Sequence, residues 1–254
     1  MSHDNLVRIN EGSHAREEID TYVTPSDLTV LAPADASPPM IAFDYLSPPT
    51  ILDQRLVMLR EPESTRARGY RLLRHRLLSR DNPRIMAVTS SVSGEGTTTC
   101  ALNLSLAMAE DTMCSHLLLE ANLNHATFGE IFGFSPRYSI MEGITHSQPG
   151  GPPYRVTRIG GTRLHVAALS QSLPGGRLDR ILLAAALHDL RSVYDYIIID
   201  APAVLENADA DVVAECSDGV VLVTRSGASR KALVRRAIDQ LEPARILGSV
   251  LLDS

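Results

Sequence analysis

The sequence predicts an α/β fold, in which a doubly wound, mainly parallel sheet carries helices on both of its faces. From residue 84 onward, short apolar segments alternate with segments of helical periodicity, and this alternation is typical of right-handed βαβ units. Several apolar segments are uninterrupted, as in residues 196–199 and 220–223, which is typical of strands buried on both faces of a parallel sheet. The 254 residues can hold one such domain and an N-terminal extension.

The first part of the chain differs in composition from the rest. Residues 1–54 contain repeated prolines and no sustained apolar periodicity, which predicts a disordered or loosely docked arm. Short apolar pieces at residues 28–31 and 41–43 are candidates for anchoring this arm to the body or to a partner. The predicted organisation is therefore an arm over 1–54, a linker and basic helix over 55–82, and an α/β domain over 83–254.

Residues 64–80 are predicted to form a basic amphipathic helix. Tyr70, Leu73 and Leu77 follow the i, i+3, i+7 spacing of an apolar stripe, which Leu72 and Leu78 would widen. Residues 81–83 read Asp-Asn-Pro and end the pattern. The arginines on the remaining surface indicate either a docking face or a solvated basic face, namely Arg66, Arg71, Arg74 and Arg80.

The α/β domain divides into elements in a regular order. The predicted strands cover residues 85–90, 116–120, 164–169, 196–200, 219–224 and 246–252. The predicted helices cover residues 97–110, 126–133, 177–192, about 207–216 and 228–241. Residues 147–163 are rich in Gly and Pro and are predicted to be a loop.

Composition excludes several classes of function. A net charge of −6 argues against a nucleic-acid-binding body. No apolar segment approaches the ~20 residues that span a bilayer, and the N-terminal residues lack the features of a signal peptide. We therefore expect a cytoplasmic protein without direct membrane insertion, whose membrane association comes through a partner. The three cysteines match no metal or redox spacing. We expect them to be reduced thiols that act as small apolar side chains.

Residues 88–99 read VTSSVSGEGTTT and predict a phosphate-binding loop without its lysine. In the pattern G-x-x-x-x-G-K-[ST], Ser91 stands at the first glycine, Thr97 at the lysine and Thr98 at the hydroxyl that binds Mg²⁺. Backbone N–H groups and the following helix N-terminus would still attract an anion. The predicted nucleotide-binding residues are Ser93, Gly94, Glu95, Gly96, Thr97, Thr98 and Thr99. The alternative is a tight glycine turn before a helix.

The missing charge has few replacements in the chain. Lys231 is the single lysine in the sequence, so a neighbouring lysine cannot substitute. An arginine is not equivalent to a compact ammonium, but Arg225, Arg163 or an arginine of a partner are the candidates to supply a positive charge.

Polar residues end three of the predicted strands. Asp200 follows an apolar strand and is predicted to hold Mg²⁺ directly or through water. Glu120 and Asn122 end another strand, and ligands of such sheets bind where the strands end. We therefore predict Glu120 and Asp200 as catalytic residues, and Thr98, Asp200 and Asn122 as metal ligands. The last strand, residues 246–252, is expected to contact the base.

These motifs together give the stretch from about residue 51 to the C-terminus a family resemblance. It resembles the cytoplasmic domain of bacterial tyrosine kinases of the capsule and exopolysaccharide type, which belong to the MinD/ParA-like branch of P-loop proteins. The loop, the segment Asp200–Leu205, Asp209 and residues 218–223 carry the resemblance. It implies ATP or ADP with Mg²⁺ as ligands. It also implies an inner-membrane polysaccharide co-polymerase or export protein as partner.

The resemblance further implies self-association through a Glu-x-x-Arg-x-x-Arg motif, whose arginines match Arg71 and Arg74 here. Several positions depart from the family pattern. Thr97 replaces the lysine, Glu120 and Asn122 replace two aspartates, and Arg68 replaces the glutamate of the motif. No tyrosine cluster follows the last strand, so Tyr22 and Tyr45 are the alternative phosphorylation targets in the arm.

Three functions follow from this reading. Positioned charges on a transferring phosphoryl group contribute about 3–4 kcal/mol each, so their loss predicts a nucleotide-binding regulator or scaffold with impaired catalysis. The alternatives are an active protein-tyrosine autokinase or ATPase, and a MinD/ParA-like positioning ATPase. The last is disfavoured, because Ser91 and Val92 stand where a lysine would mark the partition-type ATPases.

Overall fold

The structure is a computed structural model that describes residues 41–48, 52–80, 82–136, 154–242 and 244–253. The predictions for the arm before residue 41, which include Tyr22 and the apolar piece 28–31, lie outside the described residues. So do the proposed helix stop at Asp81 and the first part of the predicted loop over 147–163.

Within the described residues the core is an eight-stranded, mostly parallel sheet, which confirms the predicted fold class and adds two strands to the six predicted. Its order is β1-β4-β5-β3-β6-β2-β7-β8, and the single antiparallel pair within it is β4 with β5. The strands are β1 (Ile41–Leu46), β2 (Ile85–Ser90), β3 (His116–Glu120), β4 (Tyr154–Ile159), β5 (Leu164–Ala167), β6 (Tyr196–Asp200), β7 (Gly219–Arg225) and β8 (Ile246–Leu252).

Helices cover both faces of this sheet. They are α1 (Val57–Arg60), α2 (Thr65–Arg80), α3 (Thr97–Met108), α4 (Phe128–Phe132), α5 (Arg180–Leu190), α6 (Asp209–Glu215) and α7 (Lys231–Gln240). Alternate residues of the central strands enter two separate apolar clusters, so that Ile197 and Ile199 pack with α5 and α6, and Ile198 packs with α1 to α4. This division explains why the strand sequences are apolar at every position.

The prediction of a loop over residues 147–163 is wrong for residues 154–159, which form β4. Tyr154, Val156 and Ile159 are buried in this strand, whereas Arg158 is exposed. This mixed pattern is typical of a strand near the border of a sheet, and the preceding Gly and Pro residues concealed it.

The arm also contributes a strand. Residues 41–46 form β1, which pairs in parallel with β4 at the border of the sheet. The Gly160 N–H donates to the Leu46 carbonyl oxygen at 2.7 Å and continues this pairing. The apolar piece at residues 41–43 is therefore part of the sheet, and the described body begins within the predicted arm.

Helix α2 matches the predicted basic helix closely. Tyr70 and Leu77 are buried against the body, and Leu73 and Leu78 are partly buried there. Leu72 does not widen the apolar stripe as predicted, because its side chain is 49% exposed. On a helix Leu72 lies about 100° from Leu73 and about 160° from Tyr70, which places it outside the buried arc.

The sheet topology brings the polar strand ends to one edge. β2, β3, β6 and β7 run parallel to one another, so Ser90, Glu120, Asp200 and Arg225 end their strands at the same edge. The predicted phosphate loop follows β2 at this edge, which we call the loop edge.

Candidate nucleotide-binding site

The loop between β2 and α3 depends on two glycines. Gly94 and Gly96 have φ of 85° and 96°, in the left-handed region that favours glycine. A Cβ atom on Gly96 would also lie 2.5 Å from Leu252 Cδ1 at the end of β8. The loop therefore keeps its backbone close to the last strand, in the form that a close approach to phosphate requires.

The start of α3 is open to an anion. Gly96 is the N-cap of this helix, and no described side chain caps it. The first N–H groups of a helix have no partner within the helix and carry its positive partial charge. The backbone N–H groups predicted as donors in residues 94–99 therefore have a suitable geometry, and the site fits a phosphate group.

The three threonines at the start of α3 have different roles. Thr97, at the position of the lysine, donates its hydroxyl to Ser90 Oγ at 2.7 Å. Thr98 donates its hydroxyl to Asp200 Oδ2 at 2.9 Å, so the two predicted metal ligands lie together. Thr99 accepts a hydrogen bond from Asn103 through its carbonyl oxygen.

Asp200 has an unusual electrostatic environment. It is 2% exposed, and its Oδ1 atom has no partner among the described residues. Burial raises the pKa of Asp200 to about 8, the Thr98 hydroxyl opposes this shift, and the negative charge of Glu120 adds to it. A buried oxygen without a donor, beside a threonine hydroxyl, is suited to binding a cation.

Glu120 lies opposite Asp200 in the register of β3 and β6, but its carboxylate is fully engaged. Oε1 accepts from the N–H groups of Thr127 at 2.5 Å and Phe128 at 2.9 Å, and Oε2 accepts from the Leu169 N–H at 2.9 Å. Burial raises the pKa of Glu120, whereas these backbone donors lower it. The carboxylate thus ties α4 and the end of β5 to β3, and its catalytic role stays a prediction.

The third predicted metal ligand, Asn122, follows Glu120 by two residues at the loop edge. Asn122 lies half-buried in the turn after β3. In the described part of the chain, no group of three or more His, Cys, Asp or Glu side chains could hold a metal ion. A cation at Asp200 and Thr98 would therefore depend on phosphate oxygens and water for its other ligands, as Mg²⁺ commonly does.

Two carboxylates of this chain accept hydrogen bonds from backbone N–H groups of the loop. Glu95 is buried, and its Oε2 accepts from the Ser91 N–H at 2.9 Å and the Ser91 hydroxyl at 3.0 Å. Glu206 is exposed, and its Oε2 accepts from the Ser93 N–H at 3.1 Å and from the Ser93 hydroxyl. The sequence reasoning missed Glu206. The signal was its position in the segment that follows β6, the neighbour of β2.

The two arginines proposed to replace the lysine differ in position. Arg225 ends β7 and donates from Nη1 to the Gly94 carbonyl oxygen at 3.3 Å. Arg163 precedes β5, which runs parallel to β3, so it lies at the opposite edge of the sheet. Arg163 therefore lies away from the loop of its own chain, and a charge supplied by it in trans stays a prediction.

The predicted self-association residues lie on α2 and are bound within the chain. Arg71 donates to Glu110 from Nε at 2.9 Å and from Nη2 at 2.6 Å, and also to the Pro62 carbonyl. Arg74 donates to the Ala107 carbonyl at 2.5 Å, near the C-terminus of α3. Arg68 is exposed, and Tyr45, on β1, has a side chain that is 65% exposed.

Comparison with known proteins confirms the predicted resemblance. No protein-family model matches the chain. The tyrosine-protein kinase CpsD of Streptococcus agalactiae is 27% identical over 174 residues, which cover 66% of this chain and 74% of that protein. The succinoglycan biosynthesis transport protein ExoP of Rhizobium meliloti is 24% identical over 78% of this chain, which corresponds to 26% of ExoP.

Solved structures show the same fold. The kinase domain of the Escherichia coli tyrosine kinase Etk superposes with a TM-score of 0.69 at 19% identity, over 84% of this chain and 89% of that domain. The VpsO kinase domain gives a TM-score of 0.63 at 26% identity, over 77% and 99%. MinD from Pyrococcus horikoshii, complexed with Mg-ADP, gives 0.53 at 21% identity, over 66% and 69%.

Among the residues that the structure describes, every helix is too short or too polar to cross a bilayer.

Proposed function

We propose that this chain is a nucleotide-binding regulator or scaffold of a capsule or exopolysaccharide assembly system, and that its kinase chemistry is impaired. The observation that carries the proposal is the contrast between the two halves of the site. The uncapped start of α3 and the Thr98–Asp200 pair remain available for ligand. The lysine position holds Thr97, and Glu120 is engaged by backbone.

The residues that would hold the nucleotide follow from this contrast. Backbone N–H groups of residues 94–99 would bind the phosphates. Thr98 and Asp200 would hold Mg²⁺, which supplies charge neutralisation to the phosphate oxygens when it is bound. The Thr97 hydroxyl satisfies Ser90 within the loop and offers no charge to the ligand.

Binding and catalysis depend differently on the missing groups. Each positioned charge on a transferring phosphoryl group contributes about 10²–10³ in rate. Two such groups are altered here, at Thr97 and Glu120. Backbone donors contribute to ground-state binding without any side chain, so we expect measurable nucleotide binding together with slow or absent turnover.

The partner is proposed from the relatives. ExoP is named a transport protein of succinoglycan biosynthesis, and this chain aligns with about a quarter of it. We therefore propose an inner-membrane polysaccharide co-polymerase or export protein as the partner that brings the chain to the membrane. Self-association through α2 would require Arg71 and Arg74 to exchange Glu110 for a new acceptor.

An active protein-tyrosine autokinase is the second candidate. The CpsD relative is named a tyrosine-protein kinase, and Arg225 contacts the loop at Gly94. In this alternative Arg225 would supply the charge that Thr97 lacks.

One experiment separates the two functions. Calorimetric titration with ADP and ATP in the presence of Mg²⁺ measures binding, and a phosphotyrosine blot of the purified full chain after incubation with Mg-ATP measures kinase activity. We expect binding without a phosphotyrosine signal. The Asp200→Ala variant is the control, since it should weaken the Mg²⁺-dependent part of binding.

Strong autophosphorylation that disappears in Asp200→Ala would instead establish the kinase alternative. For the partner, the full chain is used as bait with solubilised membranes. Recovery of a polysaccharide co-polymerase is expected, and repeated failure to recover one would argue against the scaffold role.

A further inference from the structure

The segment that follows β6 lies against the phosphate loop along several residues. The Val204 N–H donates to the Ser90 carbonyl at 2.9 Å, and the Leu205 N–H donates to the Ser91 carbonyl at 3.1 Å. These bonds extend the parallel pairing of β2 with β6 beyond the strand ends. The next residue, Glu206, is therefore held beside the loop by backbone contacts.

The carboxylates of this chain already occupy the first part of the loop. Glu206 Oε2 accepts from the Ser93 N–H at 3.1 Å and from the Ser93 hydroxyl. Glu95 Oε2 accepts from the Ser91 N–H at 2.9 Å and more weakly from the Val92 N–H at 3.4 Å. Three consecutive backbone donors, at residues 91–93, thus face negatively charged oxygens.

The second part of the loop differs. The start of α3 has no side-chain cap within the described residues, and Arg225 contacts the loop at the Gly94 carbonyl oxygen. Anions are therefore attracted to the α3 side of the loop and repelled from the side of Ser93 and Glu206.

We propose that the Ser93–Glu206 contact makes this loop selective for a nucleoside diphosphate over a nucleoside triphosphate. The inference rests on the proposed function, because it assumes that the loop binds a nucleotide. In phosphate loops of this kind the backbone N–H groups cradle the α- and β-phosphates, and the lysine reaches the β- and γ-phosphates. A diphosphate needs the donors that this chain keeps.

A triphosphate needs the charge that this chain lacks. Thr97 offers no cation to the additional phosphate, and its hydroxyl is directed to Ser90. Glu206 adds a carboxylate to the same loop, and two like charges in one small site repel each other. The two features act in the same direction, and Glu206 is the one that a single substitution can neutralise without adding a cation.

The test compares ADP and ATP affinities by calorimetry for the full chain and for Glu206→Gln, with Mg²⁺ and again with EDTA. Glutamine keeps the length of the side chain and removes its charge. We expect wild-type protein to bind ADP about tenfold more tightly than ATP, because the missing lysine charge and the Glu206 carboxylate both disfavour the triphosphate. In Glu206→Gln this ratio should fall to about threefold or less, chiefly through tighter binding of ATP.

Glu242→Gln is the matched control, because Glu242 is exposed and lies before β8, at the opposite edge of the sheet. It removes the same charge and should leave the ratio unchanged. Glu206→Ala should reproduce the shift of Glu206→Gln, since both remove the carboxylate. Raising the salt concentration should also reduce the wild-type preference, because exposed charges are screened.

The outcomes separate this inference from the proposed function. If wild-type protein binds ADP but the ADP-to-ATP ratio is the same in Glu206→Gln, the inference is wrong and nucleotide binding stands. If neither protein binds ADP or ATP under any condition, the proposed nucleotide site is wrong and the inference falls with it. An equal shift in Glu242→Gln would assign the effect to net charge and overturn the role of Glu206.

Discussion

Thr97 illustrates how one side chain changes the chemistry of the loop without disturbing its shape. Its hydroxyl donates a hydrogen bond to Ser90 Oγ at 2.7 Å, so a neutral side chain stands at the position of the lysine. The glycine conformations and the open start of α3 are retained beside it. The backbone groups that can hold a phosphate are therefore retained, whereas the positive charge that would neutralise it is absent at Thr97.

Replacing Thr97 by lysine should restore the missing charge. We expect Thr97→Lys to bind ATP about tenfold or more tightly than the wild-type chain, because charge-assisted hydrogen bonds to phosphate are roughly twice as strong as neutral ones. Calorimetry measures the change. Thr112→Lys, an exposed position between α3 and β3 at the opposite edge, is the charge-matched control. Equal ATP affinity in all three proteins would show that the loop does not bind phosphate.

Asp200 should make stability depend on pH. Its pKa is raised to about 8 by burial, from an ordinary value of 3.8. Below both pKa values the carboxyl is neutral in the folded and unfolded states. Between them the unfolded chain loses the proton and the folded chain retains it, so the free energy of unfolding falls as pH rises from about 4 to 8.

The Asp200→Asn variant lacks this titration. Relative to the wild-type chain it should gain roughly 2–5 kcal/mol in free energy of unfolding between pH 4.5 and pH 8. Urea unfolding at several pH values measures the difference, in which contributions of other groups cancel. Parallel pH curves for the two proteins would contradict the raised pKa.

At the scale of single elements, α2 is fixed to the end of α3 by charge as well as by apolar contact. Glu110 lies just after α3, and its carboxylate accepts hydrogen bonds from Nε and Nη2 of Arg71. Arg74 donates a further hydrogen bond to the Ala107 carbonyl oxygen. The pairing raises the pKa of Arg71 and so keeps its charge. Two arginines that the sequence offered for self-association are thus already used to position α2.

Removing this contact should loosen α2. We expect Glu110→Gln to lower the free energy of unfolding by about 1 kcal/mol, the upper range for partly exposed ion pairs. Denaturant unfolding and hydrogen exchange across α2 measure the effect, and the exposed Glu242→Gln provides the control. Unchanged exchange in α2 would mean that apolar packing alone holds this helix.

The elements also show what the sequence could predict. The central strands were recognisable because both faces are buried, as at Ile197, Ile198 and Ile199. β1 and β4 were missed because prolines and glycines flank them, and because polar residues interrupt β4 at three of its six positions. The loop and Asp200 were predicted from local pattern. The Ser93–Glu206 contact joins residues 113 positions apart and depends on the pairing of β2 with β6.

At the scale of the whole molecule, the body extends beyond the region that motifs define. β1 adds a strand to the border of the sheet, and the Asp44 carboxylate pairs with Arg155 of β4 at 3.1 Å. A Cβ atom on Gly160 would lie 2.5 Å from the Leu46 carbonyl oxygen and 2.6 Å from Pro48 Cδ. The fit of the early segment therefore depends on this glycine.

Gly160→Ala should displace β1 from the sheet. We expect the free energy of unfolding to fall by about 2 kcal/mol, as for other substitutions that force backbone to move, with faster hydrogen exchange in residues 41–46. Gly248→Ala is the control, because a Cβ atom there meets no heavy atom within 4 Å. Equal stability of the two variants would show that β1 contributes little to the fold.

Glu120 has a consequence for how such a site can change over generations. Its side chain reaches the backbone of Thr127, Phe128 and Leu169, and an aspartate, shorter by one methylene, would withdraw its oxygens from these donors. Substitution by the aspartate that the family resemblance implies would leave buried donors unsatisfied, at about 1–3 kcal/mol each. One methylene group thus links the acid at the end of β3 to the position of α4, and a chain with aspartate at 120 would need compensating changes near α4.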